Sequence, residues 1–494
     1  LNHVSSSSVT TVASRPSACP GLLRIVPALD GGICRVKLPG GVLRAAAAHA
    51  LAQAARRHAA GVIEITNRAN LQIRGVLAGH EAALSENLID AGLGPSMNAP
   101  AEASGGVRPS DPALTVSGAT AVSAISAASA ADDVRNLMIS PTAGHDPQAL
   151  FDTRALAAEI LALLQNEPCF AALAPKFALL LDGGERLAML EHSHDVWIAA
   201  MPAHDGVHFA FGLAGCPPVA RADEPEDNAA PGTPALAAVL PSQVPTLVNA
   251  LLRAFLDLAA PEHTRMRHLL TVQSAQAVLQ RAQRYLDFPL SHDPALATWR
   301  RATADDSLRF GVHPQRDAET CHVGGQPPLG RMDAATLHAL AKLAEDSGDA
   351  TLHMTPWQSV LLPNVPVNAA ASVLARLAAL GLVCDATQPL ARLIACAGST
   401  GCAKSHADTK ADAFQLARLH VPAALGQVHL SGCRRSCAAA HRAPYTLLAV
   451  APGRYDLYRR DDEEPGFGRC VARHLTIEQA AAALARLARS PLDA

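Results

Sequence analysis

The sequence predicts an α+β protein of several lobes, one of them built from two copies of a strand–helix–strand–strand unit. Three observations carry this reading. The tetrapeptide HALA occurs at His49–Ala52 and again at His338–Ala341, an offset of 289 residues. At that offset Pro39 meets Pro328, Gly41 meets Gly330 and Thr66 meets Thr355, while Ile63, Ile65, Leu71 and Ile73 meet Leu352, Met354, Val360 and Leu362. Two stretches rich in Ala, Ser, Gly and Pro, 97–132 and 217–243, lack a sustained apolar period and read as linkers between lobes.

Each copy opens with an extended stretch and a Pro/Gly turn, CRVKLPGG in the first. An Ala/Leu-rich helix follows, Ala45–His58 or Asp333–Asp346. A strand with period-2 alternation comes next, Val62–Thr66 or Thr351–Thr355, then a turn and a further strand, Leu71–Val76 or Val360–Leu362. That order is half of a ferredoxin-like sandwich. The two copies are expected to pair about a pseudo-twofold axis, joined in one sheet; the alternative is two unrelated αβ pieces. Between them, Arg135–Ser140 reads as a strand entering a loop and Thr153–Gln165 as a helix. Phe177–Leu181 reads as a strand into an Asp-Gly-Gly turn, and 246–259 and 267–287 as helices. The last segment alternates strands (Gln427–Leu430, Tyr445–Val450) with helices (Ala407–Leu419, Thr476–Ala488).

At 494 residues the chain holds about three domains' worth of sequence. Hydrophobic residues at 49% and charged residues at 17% exclude a disordered main body. A net charge of -3 and 3% aromatic content argue against a general nucleic-acid binder, which needs a basic excess or stacking platforms. No run of 18 apolar residues occurs, and Leu1–Ser14 lacks the basic start and apolar core of a secretory signal, so a cytoplasmic protein is expected. In a reducing compartment the 11 cysteines are not a disulfide framework. Seven are scattered: Cys19, Cys34, Cys169, Cys216, Cys321, Cys384 and Cys470.

The other four form a constellation. Cys396 and Cys402 are spaced C-x5-C, Cys433 and Cys437 C-x3-C, with 30 residues between the pairs. Four thiolates from two loops can close a [4Fe–4S] cluster, because each iron takes one cysteine sulfur. Gly398, Gly401 and Gly432 allow close approach of backbone amides to the sulfides. Zinc knuckles favour shorter spacings, and four inert buried thiols are the remaining reading.

These residues resemble the nitrite/sulfite reductase superfamily, whose cluster sits beside a sirohaem. Arg35 with Leu38–Gly41 resembles its anion-binding first strand, Thr66–Gln72 its tetrapyrrole-contacting turn, Arg135-Asn136 its next basic motif and Pro175–Phe177 its lysine motif. The likeness is closer to the precorrin-3B synthase branch, through Arg15–Leu22, Glu64–Gly75, Ser140–Asp146, Asp182–Gly184, Cys396–Ala403 and Ser431–Cys433. The ordered set covers about 420 residues. Two departures stand out. Where the sirohaem enzymes carry a second lysine this chain has Ala178, and where they hold Pro-Asn-Gly between the last two cysteines it has Arg434-Arg435-Ser436.

The resemblance implies a nitrite/sulfite reductase-like α+β fold. Its parts would be ferredoxin-like half-domains at 15–95 and 305–385, a first α+β lobe at 130–290 and a [4Fe–4S]-binding lobe at 386–494. It implies an oxygen-dependent monooxygenase that hydroxylates precorrin-3A and closes a γ-lactone in aerobic cobalamin biosynthesis, with O2 as co-substrate. Cys396, Cys402, Cys433 and Cys437 would hold the cluster, beside a mononuclear non-haem iron rather than sirohaem. A sirohaem-dependent sulfite or nitrite reductase is the alternative, and a non-enzymatic cluster carrier a third. Arg35, Arg68, Asn70, Arg74, Arg135 and Lys176 are the candidate tetrapyrrole-binding residues, because planar guanidinium forks suit rim carboxylates. The bland alternative for each is a solvated surface charge. His406, His420, His429 and His441 flank the cysteines with no H-x-H or facial-triad spacing and read as surface or core residues, and Asp408 and Asp412 as a solvated helix face. No G-x-G-x-x-G opens a βα unit, so electrons are expected from an external NADH-linked reductase or ferredoxin.

Overall fold

The computed structural model describes residues 19–95, 127–220, 232–290, 294–419, 421–461, 464 and 466–489. The first linker to position 126, Arg15 and His420 lie outside them. The fold consists of four five-stranded sheets. The first half-domain contributes β1 (Val26–Ala28), β2 (Gly31–Val36), β3 (Val42–Arg44), β4 (Val62–Ile65) and β5 (Leu71–Val76). Its helix Ala45–His58 buries Ala48, Leu51, Ala52 and Ala55 on one stripe, with Arg56, Arg57 and His58 at the C-terminal end of the dipole. The next lobe contributes β6 (Leu137–Met138), β7 (Leu179–Asp182), β8 (His194–Ala203), β9 (Gly206–Gly215) and β10 (Ala237–Val239). The second half-domain contributes β11 (Gly311–Pro314), β12 (Thr320–Gly325), β13 (Arg331–Asp333), β14 (Thr351–Met354) and β15 (Val360–Pro366). The last lobe contributes β16 (Leu393–Ala395), β17 (Val428–Ser431), β18 (Tyr445–Ala451), β19 (Arg454–Arg459) and β20 (Arg469–Leu475).

The half-domains do not share one sheet, which corrects the expectation above. They form two sheets, β1-β2-β5-β4-β13 and β11-β12-β15-β14-β3, each finished by a strand taken from the other. In the exchange Ala45 donates its amide to the Ala350 carbonyl at 2.8 Å and Ala334 its amide to Gly61 at 2.9 Å, the same bond twice at the 289-residue offset. The helices Ala45–His58 and Ala334–Ser347 pack together, and His49 meets His338 at 2.8 Å on the axis. Left-handed backbone recurs at the same spacing: Gly40 with Leu329, Gly41 with Gly330, Gly61 with Ala350, Ala69 with Gln358, Gly75 with Asn364 and Gly92 with Gly381. Geometry is thus retained where the second copy no longer has the residue that adopts it most easily.

The duplication extends further than the sequence revealed. In the sheet β10-β9-β8-β7-β6, β6, β7 and β8 run parallel and β8, β9 and β10 antiparallel. The sheet β16-β17-β18-β19-β20 repeats that pattern strand for strand.

Two local expectations need correction, and one hairpin was not expected. The β8–β9 hairpin escapes a search for alternation because β8 is buried on both faces over its first eight residues. The expected helix 267–287 is broken into Met266–Leu269, Ala275–Ala282 and a 3-10 turn, because the Ser274 hydroxyl caps a new start at Ala275, accepting from the Ala277 amide. The second linker contains β10, paired with β9, and the 3-10 turn Pro241–Gln243, while 221–231 lie outside the described residues.

Candidate functional site

The site begins with the turn after β4. Thr66 donates its amide to the Asn70 carbonyl at 2.8 Å, its hydroxyl accepts from the Asn70 amide at 3.1 Å, and Ala69 is left-handed. The turn thereby holds Asn67 and Arg68 outward. Asn70 is spent on the fold, accepting from the Leu38 amide at 2.8 Å. Its copy at Thr355–Ser359 has the same bonds but carries Pro356-Trp357-Gln358 at the tip.

Two neighbouring cavities flank the turn. The first spans about 440 Å³, part of it open to solvent, and is lined by Arg68, Asn70, Arg135, Asn136, Ala178, His192 and His194 among others. The second, about 350 Å³, is lined by Asn67, Arg309, Trp357, Gln358, Gln427 and His441 among others.

Of the two arginines that line the first cavity, Arg68 is the less committed to the fold. Its Nη2 donates at 3.4 Å to the Lys176 carbonyl. Burial, with Arg265 and Arg35 nearby, lowers its pKa to about 10, so a charged guanidinium is held where an anion would relieve it. Arg135 lines the same cavity but is tied to Lys37 O (3.0 Å), Leu93 O and Asp132. Arg35 donates to Gln72 at 2.8 Å, while its buried Nε has no partner among the described residues. Lys176 is exposed, its charge within reach of Cys437. Arg74 stands apart from the cavity. It is buried against Asp30 (2.8 Å) and Glu64 and donates to the Gly401 carbonyl at 2.9 Å, bracing the cysteine loop from behind. The structure therefore gives it a scaffolding place rather than the substrate contact expected of it.

The four expected cysteines converge from two loops. Burial, then the neighbouring Cys433, Cys396 and Cys402, push the Cys437 thiol up, which places those three within electrostatic reach of Cys437. The Gly432 amide donates to Cys396 Sγ at 3.2 Å, and a Cβ at Gly432 would collide with Ser405 Oγ. Asn67 donates to the Cys437 carbonyl at 3.3 Å, linking this loop to the cavity wall. Among the described residues no three His, Cys, Asp or Glu side chains converge closely enough to hold a single ion. The donor set is four thiols with one backbone amide directed at the first of them, which fits an iron–sulfur cluster. The expected non-haem iron finds no such ligand set among the described residues either.

Sequence reasoning passed over His192 and His194. They form an H-x-H at the start of β8, distant in sequence from the cysteines, where that spacing was sought. Both are buried and kept neutral: His192 well below its ordinary value by burial, then by His441, His194 and Arg68, and His194 at about 3 by burial and Arg68. His441 is a cavity residue too. Asp412 is no solvated residue but takes the Tyr455 hydroxyl, and Asp408 caps the helix Thr409–Arg418.

Residues 27–91 and 313–380 match the family described as nitrite/sulfite reductase ferredoxin-like half domain, and residues 130–290 match nitrite and sulphite reductase 4Fe-4S domain. That second range holds Cys169 and Cys216; the four-cysteine constellation lies in the lobe with the same strand pattern. A chloroplastic ferredoxin–nitrite reductase of Zea mays is 30% identical over 423 residues, 82% of this chain and 67% of that protein. A precorrin-3B synthase of Sinorhizobium sp is 26% identical over 456 residues, 90% of this chain and 83% of that protein. The chain spans about two thirds of the length of the plant relatives it matches. The solved Mycobacterium tuberculosis NirA protein shares the fold, with a TM-score of 0.71 at 21% identity over 93% of this chain and 80% of that one. With three segments matched across more than half of its length, and with the duplicated sheets in place, the chain belongs to the nitrite/sulfite reductase family.

Proposed function

We propose that this chain is an oxidoreductase of the precorrin-3B synthase type, an O2-dependent monooxygenase that hydroxylates precorrin-3A and closes its γ-lactone. The observation that carries the reading is Ala178. It lines the first cavity beside Arg68 and Arg135, where the sirohaem enzymes resembled by this chain carry a second lysine. A methyl group there removes a fixed cation from the wall and leaves a site suited to a large carboxylate-bearing substrate rather than a small anion. The extended match to a precorrin-3B synthase, over most of both chains, supports it.

Cys396, Cys402, Cys433 and Cys437 would hold a [4Fe–4S] cluster, which supplies electrons one at a time. Gly432 steadies the first sulfur. Arg68 binds a rim carboxylate, Arg135 and Asn70 fix the wall around it, and the buried cavity limits water. Electrons would come from a ferredoxin or an NADH-linked reductase, since no nicotinamide fingerprint was found in the chain.

The test is anaerobic purification, an absorption spectrum, then addition of precorrin-3A, reductant and isotopically heavy O2. A broad cluster shoulder and a product carrying one heavy oxygen are expected. An intense Soret and red band with nitrite reduction would overturn the reading in favour of the second one, a sirohaem nitrite reductase. That alternative is favoured by the ferredoxin–nitrite reductases among the relatives, at up to 30% identity.

A further inference from the structure

The two cavities are separated by a pair of histidines that the steps above do not use. His192 lines the first and His441 the second. His192 Nε2 and His441 Nδ1 are 3.2 Å apart, with the rings stacked at 5.3 Å and 24°. His441 Nε2 lies 2.9 Å from Gln427 Oε1 and 4.0 Å from Glu191 Oε2, and the Glu191 side chain is 58% exposed. At the inner end His192 Nδ1 is buried and has no hydrogen-bond partner among the described residues.

We propose that His192 and His441 form a proton relay from Glu191 at the surface to the occupant of the first cavity. The proposal rests on the functional reading only in needing a proton-consuming reaction there. Hydroxylation by O2 takes up two electrons and two protons for each oxygen atom inserted, the other oxygen leaving as water. Reduction of nitrite also consumes protons. The cleft is lined by Arg68, Arg135, His192 and His194, with no carboxyl, thiol or lysine among its lining residues, so the histidines are its candidate proton donors.

One transfer balances as follows. His192 Nδ1–H gives its proton to the occupant, His441 Nδ1–H passes its proton to His192 Nε2, and His441 Nε2 takes one from solvent water beside the Glu191 carboxylate. One proton enters, one leaves, and no electron moves. Both rings stay neutral throughout, and burial, which disfavours the imidazolium form of each, agrees with that. The rings end in the opposite tautomers and reset by turning. The Gln427 amide can present oxygen or nitrogen to His441 Nε2 and so serves both tautomers. Arg460, 3.7 Å from Glu191 Oε1, holds the outer carboxylate near the relay.

The experiment compares wild type with His441→Ala, His441→Phe and Glu191→Gln, each checked for intact cluster absorption. His441→Ala should lower kcat by about 10²-fold or more, the usual worth of a positioned proton donor, with KM within about two-fold. Its solvent isotope effect should rise, and added imidazole should restore turnover. His441→Phe keeps the ring volume, and imidazole should not rescue it. Glu191→Gln should show a smaller loss, because water reaches His441 without it. Independently of turnover, protein labelled with nitrogen-15 in histidine should show one imidazole proton coupled to both His192 and His441, lost in His441→Phe. An unchanged kcat and isotope effect in His441→Ala, or no coupled proton in wild type, would overturn the relay. If wild type reduces nitrite and does not oxygenate precorrin-3A, the functional reading fails and the same variants test the relay on nitrite.

Discussion

On the proposed reading, Arg68 concentrates the recognition chemistry in one side chain. Its burial beside Arg265 and Arg35 costs stability that an anionic ligand would return. A charge-assisted hydrogen bond is worth roughly 1.5–3 kcal/mol, or about 10- to 150-fold in affinity. Arg68→Ala is therefore expected to weaken binding of a carboxylated tetrapyrrole by about that factor, with iron content unchanged. Fluorescence titration with uroporphyrin beside an iron assay checks both, and unchanged affinity would make Arg68 a scaffold residue. Lysine at that place should restore only part, lacking the fork. Ser436 makes a different point. It takes a left-handed φ of 52° between Cys433 and Cys437, where relatives carry glycine by the resemblance drawn above. Ser436→Val should destabilise the loop by about 1–3 kcal/mol, read as faster bleaching of cluster absorption in denaturant. Cys433→Ser should remove that absorption altogether; a full iron complement in that variant would refute the cluster assignment.

Among the elements, the exchanged strand β13 sets an arginine against a buried carboxylate. In the β4–β13 pairing Arg331 stands opposite Glu64 and holds it at 2.7 Å, with Arg74 at 3.5 Å and Lys410 at 3.7 Å. Burial alone would raise the Glu64 pKa, but Lys410, Arg74 and Arg331 together hold it below the ordinary value. A depressed carboxylate contributes stability that is fully present above the unfolded value, about 4.5, and is lost as pH falls through the folded one. Glu64→Gln leaves three cations facing a neutral amide and should cost about 3 kcal/mol near neutral pH. It should also flatten the acid limb of a stability–pH curve measured in urea; an unaltered acid limb would contradict this. The elements best legible beforehand were those with one buried face. Helix Ala45–His58 and β5 fall where their periodicity places them. The β8–β9 hairpin, β19 and β20 did not show: β8 lacks alternation, and β20 is largely half-exposed.

At the scale of the molecule the half-domains share one core, in which Leu51, Ala52 and Ala55 of one helix and Leu337, Leu340 and Ala341 of the other belong to a single cluster. Neither half can complete its sheet alone. Residues 19–95 expressed alone should stay unfolded by circular dichroism, and co-expression with 305–385 should recover structure; a folded isolated half would argue against an obligatory exchange. The sequence by itself determined the duplication, the α+β class, the position of helices such as Ala45–His58 and the spacing of the four cysteines, because each is written in local spacing or in a fixed register. Only the tertiary structure decided that the halves trade strands instead of sharing one sheet. It also decided that the last lobe repeats the second, that Arg74 braces the cysteine loop while Arg68 faces the cavity, and that His192 meets His441. Those facts depend on side chains brought together across 249 to 327 residues of chain. Spacing along a sequence carries no information about such distances; packing of the sheets alone sets them.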